Sequence, residues 1–91
     1  MYAIEFSKLA GKKFSKLDKS IKKRIINKLK EIRKSNKPRR FLESLKGVTA
    51  RKLRIGDYRL IVDVDDENKV IYILTLGHRS EIYKELHEFE E

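Results

Sequence analysis

The stretch Ala50–Val64, ARKLRIGDYRLIVDV, sets two runs of alternating character on either side of Gly56-Asp57. A two-residue connection with Gly first, between apolar-alternating runs, signals a type II′ β-hairpin. In that register Ile55 faces Tyr58, Arg54 faces Arg59, Leu53 faces Leu60 and Lys52 faces Ile61. A four-residue loop on the same dipeptide keeps these pairs; a three-residue loop with a bulge breaks them. Side chains alternate between the faces of a strand. Leu53, Ile55, Tyr58, Leu60, Val62 and Val64 therefore share one face, and Lys52, Arg54 and Arg59 share the other.

The basic face carries the functional signal. Arg54 and Arg59 lie directly opposite each other, and like charges so placed destabilise a sheet by a few tenths to about 1 kcal/mol. Lys52 adds a third cation diagonally. Two readings compete. An anion belongs between these side chains, in the way that charge clusters mark sites, or all three point into water, where screening weakens the repulsion.

Outward from the hairpin, the polar run Asp65-Asp66-Glu67-Asn68 predicts a turn, and Val70–Leu76 (VIYILTL) predicts a central strand covered on both faces over much of its length. Gly77-His78-Arg79-Ser80 breaks that strand. Ser80 can cap a last short helix whose apolar side is Ile82, Leu86 and Phe89, with Glu81 suiting its positive end. Toward the N-terminus, Lys46-Gly47 turns the chain into the hairpin, and a loop from Arg39 is pinned by Phe41, Leu42 and Leu45. Pro38 ends a helix whose stripe is Ile21, Ile25, Leu29 and Ile32, with Ile26 beside it. Lysines and arginines fill the rest of that helix, either as a solvated face or as a rail for phosphates. Asp18 caps this helix, and Ser7 caps an earlier one carrying Leu9, Ala10, Phe14 and Leu17. Tyr2–Phe6 alternates as a short strand.

Ninety-one residues suit one domain spanning 1–91. The chain has no cysteine, so it offers neither a disulfide framework nor a thiolate metal site. No apolar run approaches the roughly 20 residues of a membrane span, and MYAIEFSKLA lacks a signal-peptide core. We expect a cytoplasmic protein with no membrane contact. Net charge is +9. Residues 1–60 hold 20 Lys/Arg against 5 Asp/Glu, whereas residues 61–91 hold 3 against 9. A basic body with an acidic end implies a polyanionic partner for the body; a lysine-rich surface serving solubility or thermal stability is the competing account.

Conventional catalytic sets are missing: no Cys nucleophile, no glycine-rich phosphate loop, no HExxH. His78 and His87 lie nine apart with no ligand cluster, which speaks against zinc. Asp63, Asp65 and Asp66 suit a solvated turn better than a magnesium site. We expect no metal and no cofactor. What converges is cationic: Lys52, Arg54 and Arg59 on one sheet face, Arg79 leaving the last strand, and Tyr83 four residues on, on the same helix side if the helix begins early. Arginines stabilise charge developing on a phosphate, and a tyrosine stacks on a base or relays a proton. RNA brings its own nucleophile, the 2′-OH. Lys46, Arg51, His78, Arg39 and Arg40 are candidate RNA contacts; for His78 a surface turn, and for Tyr83 a half-buried aromatic, are the competing readings.

The order strand, two helices, three-strand meander and short tail resembles the RelE/ParE toxin superfamily of toxin–antitoxin systems. Leu45-Lys46-Gly47, Arg51–Leu60 and Gly77-His78-Arg79 with Ile82-Tyr83 carry the likeness across essentially the whole chain. The resemblance implies an α+β fold: N-terminal strand, two-helix hairpin, antiparallel three-strand meander, short C-terminal helix. It implies a ribosome-dependent messenger-RNA endonuclease in which Lys52, Arg54, Arg59, Arg79 and Tyr83 form the catalytic set. The chain departs from the better-known bacterial form at Ala50, where that form has a lysine, and in a shorter segment between Arg79 and Tyr83; His78 is then an alternative proton donor. The partners implied are a cognate antitoxin, the ribosome and mRNA. Apolar surface beside Ile82, Tyr83 and Phe89, or on the second helix, is where such an antitoxin is expected. Two other functions fit the same fold: a ParE-like inhibitor of DNA gyrase that cuts no RNA, and a nucleic-acid-binding module without catalysis.

Overall fold

The computed structural model describes the backbone of residues 1–89 and the side chains of residues 1–85. Expectations for the side chains of Leu86, His87 and Phe89 lie outside the described residues. Among the described residues, five strands form one mixed sheet in the order β1-β5-β4-β3-β2. They are β1 (Ala3–Phe6), β2 (Glu43–Ser44), β3 (Arg51–Ile55), β4 (Tyr58–Asp65) and β5 (Val70–His78). β1 runs parallel to β5; the other neighbours are antiparallel. The helices are α1 (Lys8–Ser15), α2 (Lys19–Arg33) and α3 (Arg79–Phe89). This is the α+β architecture that the sequence predicts, with β2 added.

The hairpin has the predicted register, pair for pair from Ile55↔Tyr58 to Lys52↔Ile61. Gly56 adopts φ +58° while Asp57 stays out of the positive-φ region, which is the type II′ signature. The apolar face of the hairpin meets α2. Ile25, Leu29 and Ile32 pack with Leu53, Ile55, Leu60, Val62, Ile71, Ile73 and Leu76 in one core. Each such aliphatic side chain contributes roughly 1.5–3 kcal/mol on burial. Both predicted caps form: the Ser7 side chain accepts from the Ala10 amide and the Asp18 side chain from the Ile21 amide, each at 3.0 Å. Asp18 thus separates two helices that a continuous apolar pattern would otherwise have fused.

Three features depart from the sequence reading. The segment after Pro38 is not plain loop: Pro38–Phe41 makes a 3-10 turn, and Glu43–Ser44 adds an edge strand to β3. Two polar residues carry too little alternation to announce a strand. Second, the register of β4 against β5 shifts between Ile61 and Val62, so Leu74 is an unpaired extra residue. Third, β5 is central but only partly covered. Ile71, Ile73 and Leu76 are buried toward α2; on the other face Thr75 and Gly77 are buried while Tyr72 and Leu74 remain exposed. Where the covered part of that face lies, α3 turns back over β5, with Ile82 fully buried. Among the described residues no helix is long and apolar enough to cross a membrane.

Candidate active site

The second face of the hairpin, away from α2, holds the basic residues. Arg59 is the most deeply placed of them, 2% exposed. One terminal nitrogen (Nη1) donates to the Gly56 and Tyr58 carbonyls at 2.8 and 2.9 Å. Its Nε has no hydrogen-bond partner among the described residues. Cross-strand Arg54 is exposed. The pair tolerates its like charges because Arg59 folds back onto carbonyl dipoles of the turn while Arg54 stays in water. Neither arginine has a carboxylate partner among the described residues.

Tyr83 of α3 completes the cluster, 42% exposed. Lys52 Nζ lies 5.8 Å from its ring centroid, a cation–π distance. The Arg59 guanidinium beside the hydroxyl is the first cause that holds the phenol below its ordinary pKa of 10.0; the charges of Arg59, Lys52 and Arg54 act in the same direction, against partial desolvation. The two bonds Arg59 makes at good geometry go to carbonyls, so it meets Tyr83 as a close charge rather than as an ideally aligned donor. Lys52 is held from its other side by Glu43 at 3.3 Å. Glu43 is a residue the sequence reading missed, because it reaches Lys52 only through the unforeseen edge strand.

Arg79 opens α3, so the helix does begin early and places Arg79 one turn before Tyr83. Its amide donates to the Asp57 carbonyl at 2.8 Å, which ties the start of α3 to the hairpin turn; its side chain is exposed. Ser80 does not cap the helix. The Ser80 amide donates to His78 Nδ1 at 3.3 Å and the Ser80 hydroxyl lies 3.0 Å from the same atom, so the imidazole does the capping. His78 shares the face of Tyr58, packing edge-on against its ring at 5.7 Å. It therefore stands on the opposite side of the sheet from Arg54 and Arg59.

The remaining candidates are scattered. Arg39 is engaged by the Asp66 carboxylate and the Val64 carbonyl. Asp66 also accepts from the Tyr2 hydroxyl at 2.7 Å. Arg40 and Lys46 are exposed, and Arg51 donates to Ser44 at 3.1 Å. The expected apolar surface at Ile82 is not there, since Ile82 is fully buried. The stripe of the second helix is likewise in the core. Exposed apolar groups gather instead around Leu9, Val48 and Leu74, which line a hollow with Leu45, Ala50 and Ile61. Asp65 and Asp66 are both occupied by structural bonds, Asp65 with Asn68 across the turn. No group of acidic residues and histidines among the described residues is arranged to hold a metal ion.

Comparison with known proteins gives this cluster a setting. Residues 4–83 match the family described as the ParE toxin of the type II toxin–antitoxin system parDE. The chain is 34% identical over 89 residues to the mRNA interferase toxin RelE of Escherichia coli, covering 92% of each chain. Its fold is similar to the isolated Escherichia coli RelE toxin, with a TM-score of 0.74, 27% identity and full coverage of both chains. It is also similar to the archaeal RelE–RelB complex from Pyrococcus horikoshii, with a TM-score of 0.72, 30% identity, and 86% and 94% coverage of this chain and that one. A family match over most of its length, joined to this basic face, means that the chain belongs to the RelE/ParE toxin family of type II toxin–antitoxin systems.

Proposed function

We propose that this protein is a toxin that cuts messenger RNA on the ribosome. The observation that carries the reading is Arg59: a buried guanidinium with no carboxylate among the described residues, set beside a tyrosine whose pKa it lowers. A charge kept in so dry a place acts strongly on a phosphate that comes to it. In the reaction the 2′-oxygen bonds to phosphorus as the bond to the next nucleotide's 5′-oxygen breaks. A 2′,3′-cyclic phosphate and a 5′-hydroxyl result. One proton leaves the 2′-OH and one arrives on the 5′-oxygen. Arg59 and Arg79 stabilise the phosphate charge, Lys52 and Arg54 bind and orient the backbone, and Tyr83 stacks on a base or takes the 2′-OH proton. A lowered phenol pKa favours the second role. Together these groups need no metal ion to meet the charge.

Several of the relatives were solved as RelE–RelB complexes, which supports an antitoxin partner. An antitoxin would cover the apolar hollow around Leu9, Val48 and Leu74. The ribosome would meet the basic body, and the site of action is cytoplasmic. The match to a ParE family model favours a second reading, inhibition of DNA gyrase. The test is primer extension on purified ribosomes programmed with message. Wild-type protein should create new message ends and an Arg79→Glu variant of unchanged melting temperature should create none. Supercoiling inhibition without cuts would select the gyrase reading. Salt-sensitive RNA binding with neither activity would leave only a binding module.

A further inference from the structure

Tyr83 stands on α3 between two residues that anchor the helix. Ile82 is fully buried against Gly77, where an added methyl would lie 3.7 Å from its Cδ1. Glu85 is bound from α1: Lys13 Nζ donates to one of its carboxylate oxygens. Lys13 Nζ also donates to Thr75 Oγ1 at 3.0 Å, and Thr75 Oγ1 donates to the other Glu85 oxygen at 3.3 Å. Thr75 is 6% exposed. The three groups close a ring that joins α1, β5 and α3 at the rim of the apolar hollow. A side chain stands about 5–6 Å from a helix axis, so a roll of about 10° moves it about 1 Å. Packing at Ile82 is non-directional and the Arg79 amide ties only the first turn, whereas the directed bonds at Glu85 oppose that roll.

We infer that Lys13, Thr75 and Glu85 form a latch that fixes the rotation of α3 and so places Tyr83 over Lys52 and Arg59. Lys13 and Glu85 are then positioning residues for the cleavage reaction, acting through Tyr83 without touching RNA. The inference rests on the cleavage reading for its consequence and on the free protein for its geometry. The half-buried pair is suited to this task, because an ion pair at an apolar rim is screened less than one in open water.

The variants are Lys13→Met, Glu85→Gln and the exchange Lys13→Glu with Glu85→Lys. The Thr75 hydroxyl both accepts and donates, so it serves either arrangement. Two readouts are taken: cleavage kinetics on programmed ribosomes, and the carbon-13 NMR titration of the Tyr83 hydroxyl carbon in the free protein. Each single variant should lower kcat by about ten- to a hundredfold, the scale of an ångström of misplacement, with KM within about twofold. Each should move the Tyr83 titration upward toward the ordinary tyrosine value, and the exchange should restore both. Wild-type kcat with an unmoved titration in the single variants overturns the latch. So does a loss carried by KM alone, which would put Lys13 on the RNA. An exchange variant that folds as stably as wild type and restores neither readout also overturns it. If the wild-type protein cuts no RNA, the cleavage reading fails and the titration alone decides the latch.

Discussion

Arg59 is the buried cation of the cluster, and among the described residues its charge is answered by two carbonyls and a phenol. Replacing it with methionine keeps the bulk and removes the charge. Arg59→Met should lower single-turnover cleavage by about a hundredfold or more, the scale seen when one donor to a developing charge is removed. The same change should raise the Tyr83 pKa, since the guanidinium is the first cause of its depression. For Tyr83 the sign matters. A depressed phenol pKa contributes fully to the folded state above the unfolded value of about 10, and that contribution is lost as pH falls through the folded value. Tyr83→Phe should therefore leave the melting temperature at pH 7 unchanged while abolishing the rising alkaline limb of the cleavage rate. Circular dichroism and a pH–rate profile check the two halves. At this scale the sequence was informative wherever side-chain parity alone decides: Lys52, Arg54 and Arg59 share a face because strands alternate. It was silent on Glu43 and Glu85, whose partners depend on an edge strand and on the roll of a helix.

At the scale of elements, the hairpin was legible because turn chemistry and alternation agree on one register. Gly56 makes this testable. Its φ is +58°, and a methyl there would lie 2.5 Å from an Arg24 terminal nitrogen. Arg24 can swing away, so the backbone conformation dominates. Gly56→Ala should lower stability by about 1–2 kcal/mol, the penalty for a left-handed L-residue, read by urea denaturation. Helix α3 was half legible. Its apolar anchor Ile82 follows from spacing, but its cap does not, because imidazole is not an expected capping group. His78→Ala should speed hydrogen exchange at the Ser80 amide, which donates to that ring, and leave exchange in β4 unchanged. The extra residue at Leu74 was hidden, since an unbroken apolar run such as VIYILTL carries no parity to reveal a shift.

Across the whole molecule, charge is unevenly spread, and two consequences follow. Binding to RNA should weaken linearly in the logarithm of salt concentration, with a slope set by the number of phosphates met; filter binding across a salt series measures it. Acid stability depends on three carboxylates whose pKa values are lowered below 3.8: Asp18 by the Ile21 amide and Ser20, Asp65 by the Asn68 side chain and amide, and Asp66 by Tyr2 and then Arg39. Their contribution is complete above about pH 4 and is lost as pH falls through the depressed values. The melting temperature should drop below about pH 4, and Asp66→Asn should flatten that drop. The balance of strands and helices could be read from periodicity. The sheet order could not, because nothing local to Ala3–Phe6 says that its neighbour is Val70–Ile73.

That last pairing reaches beyond the folded state. Ala3–Phe6 is translated long before Val70–Ile73, so the sheet is incomplete until that partner has emerged. Arg79 and Tyr83 are translated later still. A nascent copy therefore lacks the gathered basic cluster until Tyr83 has emerged. If it cuts messages, the ribosome that builds it is spared until then.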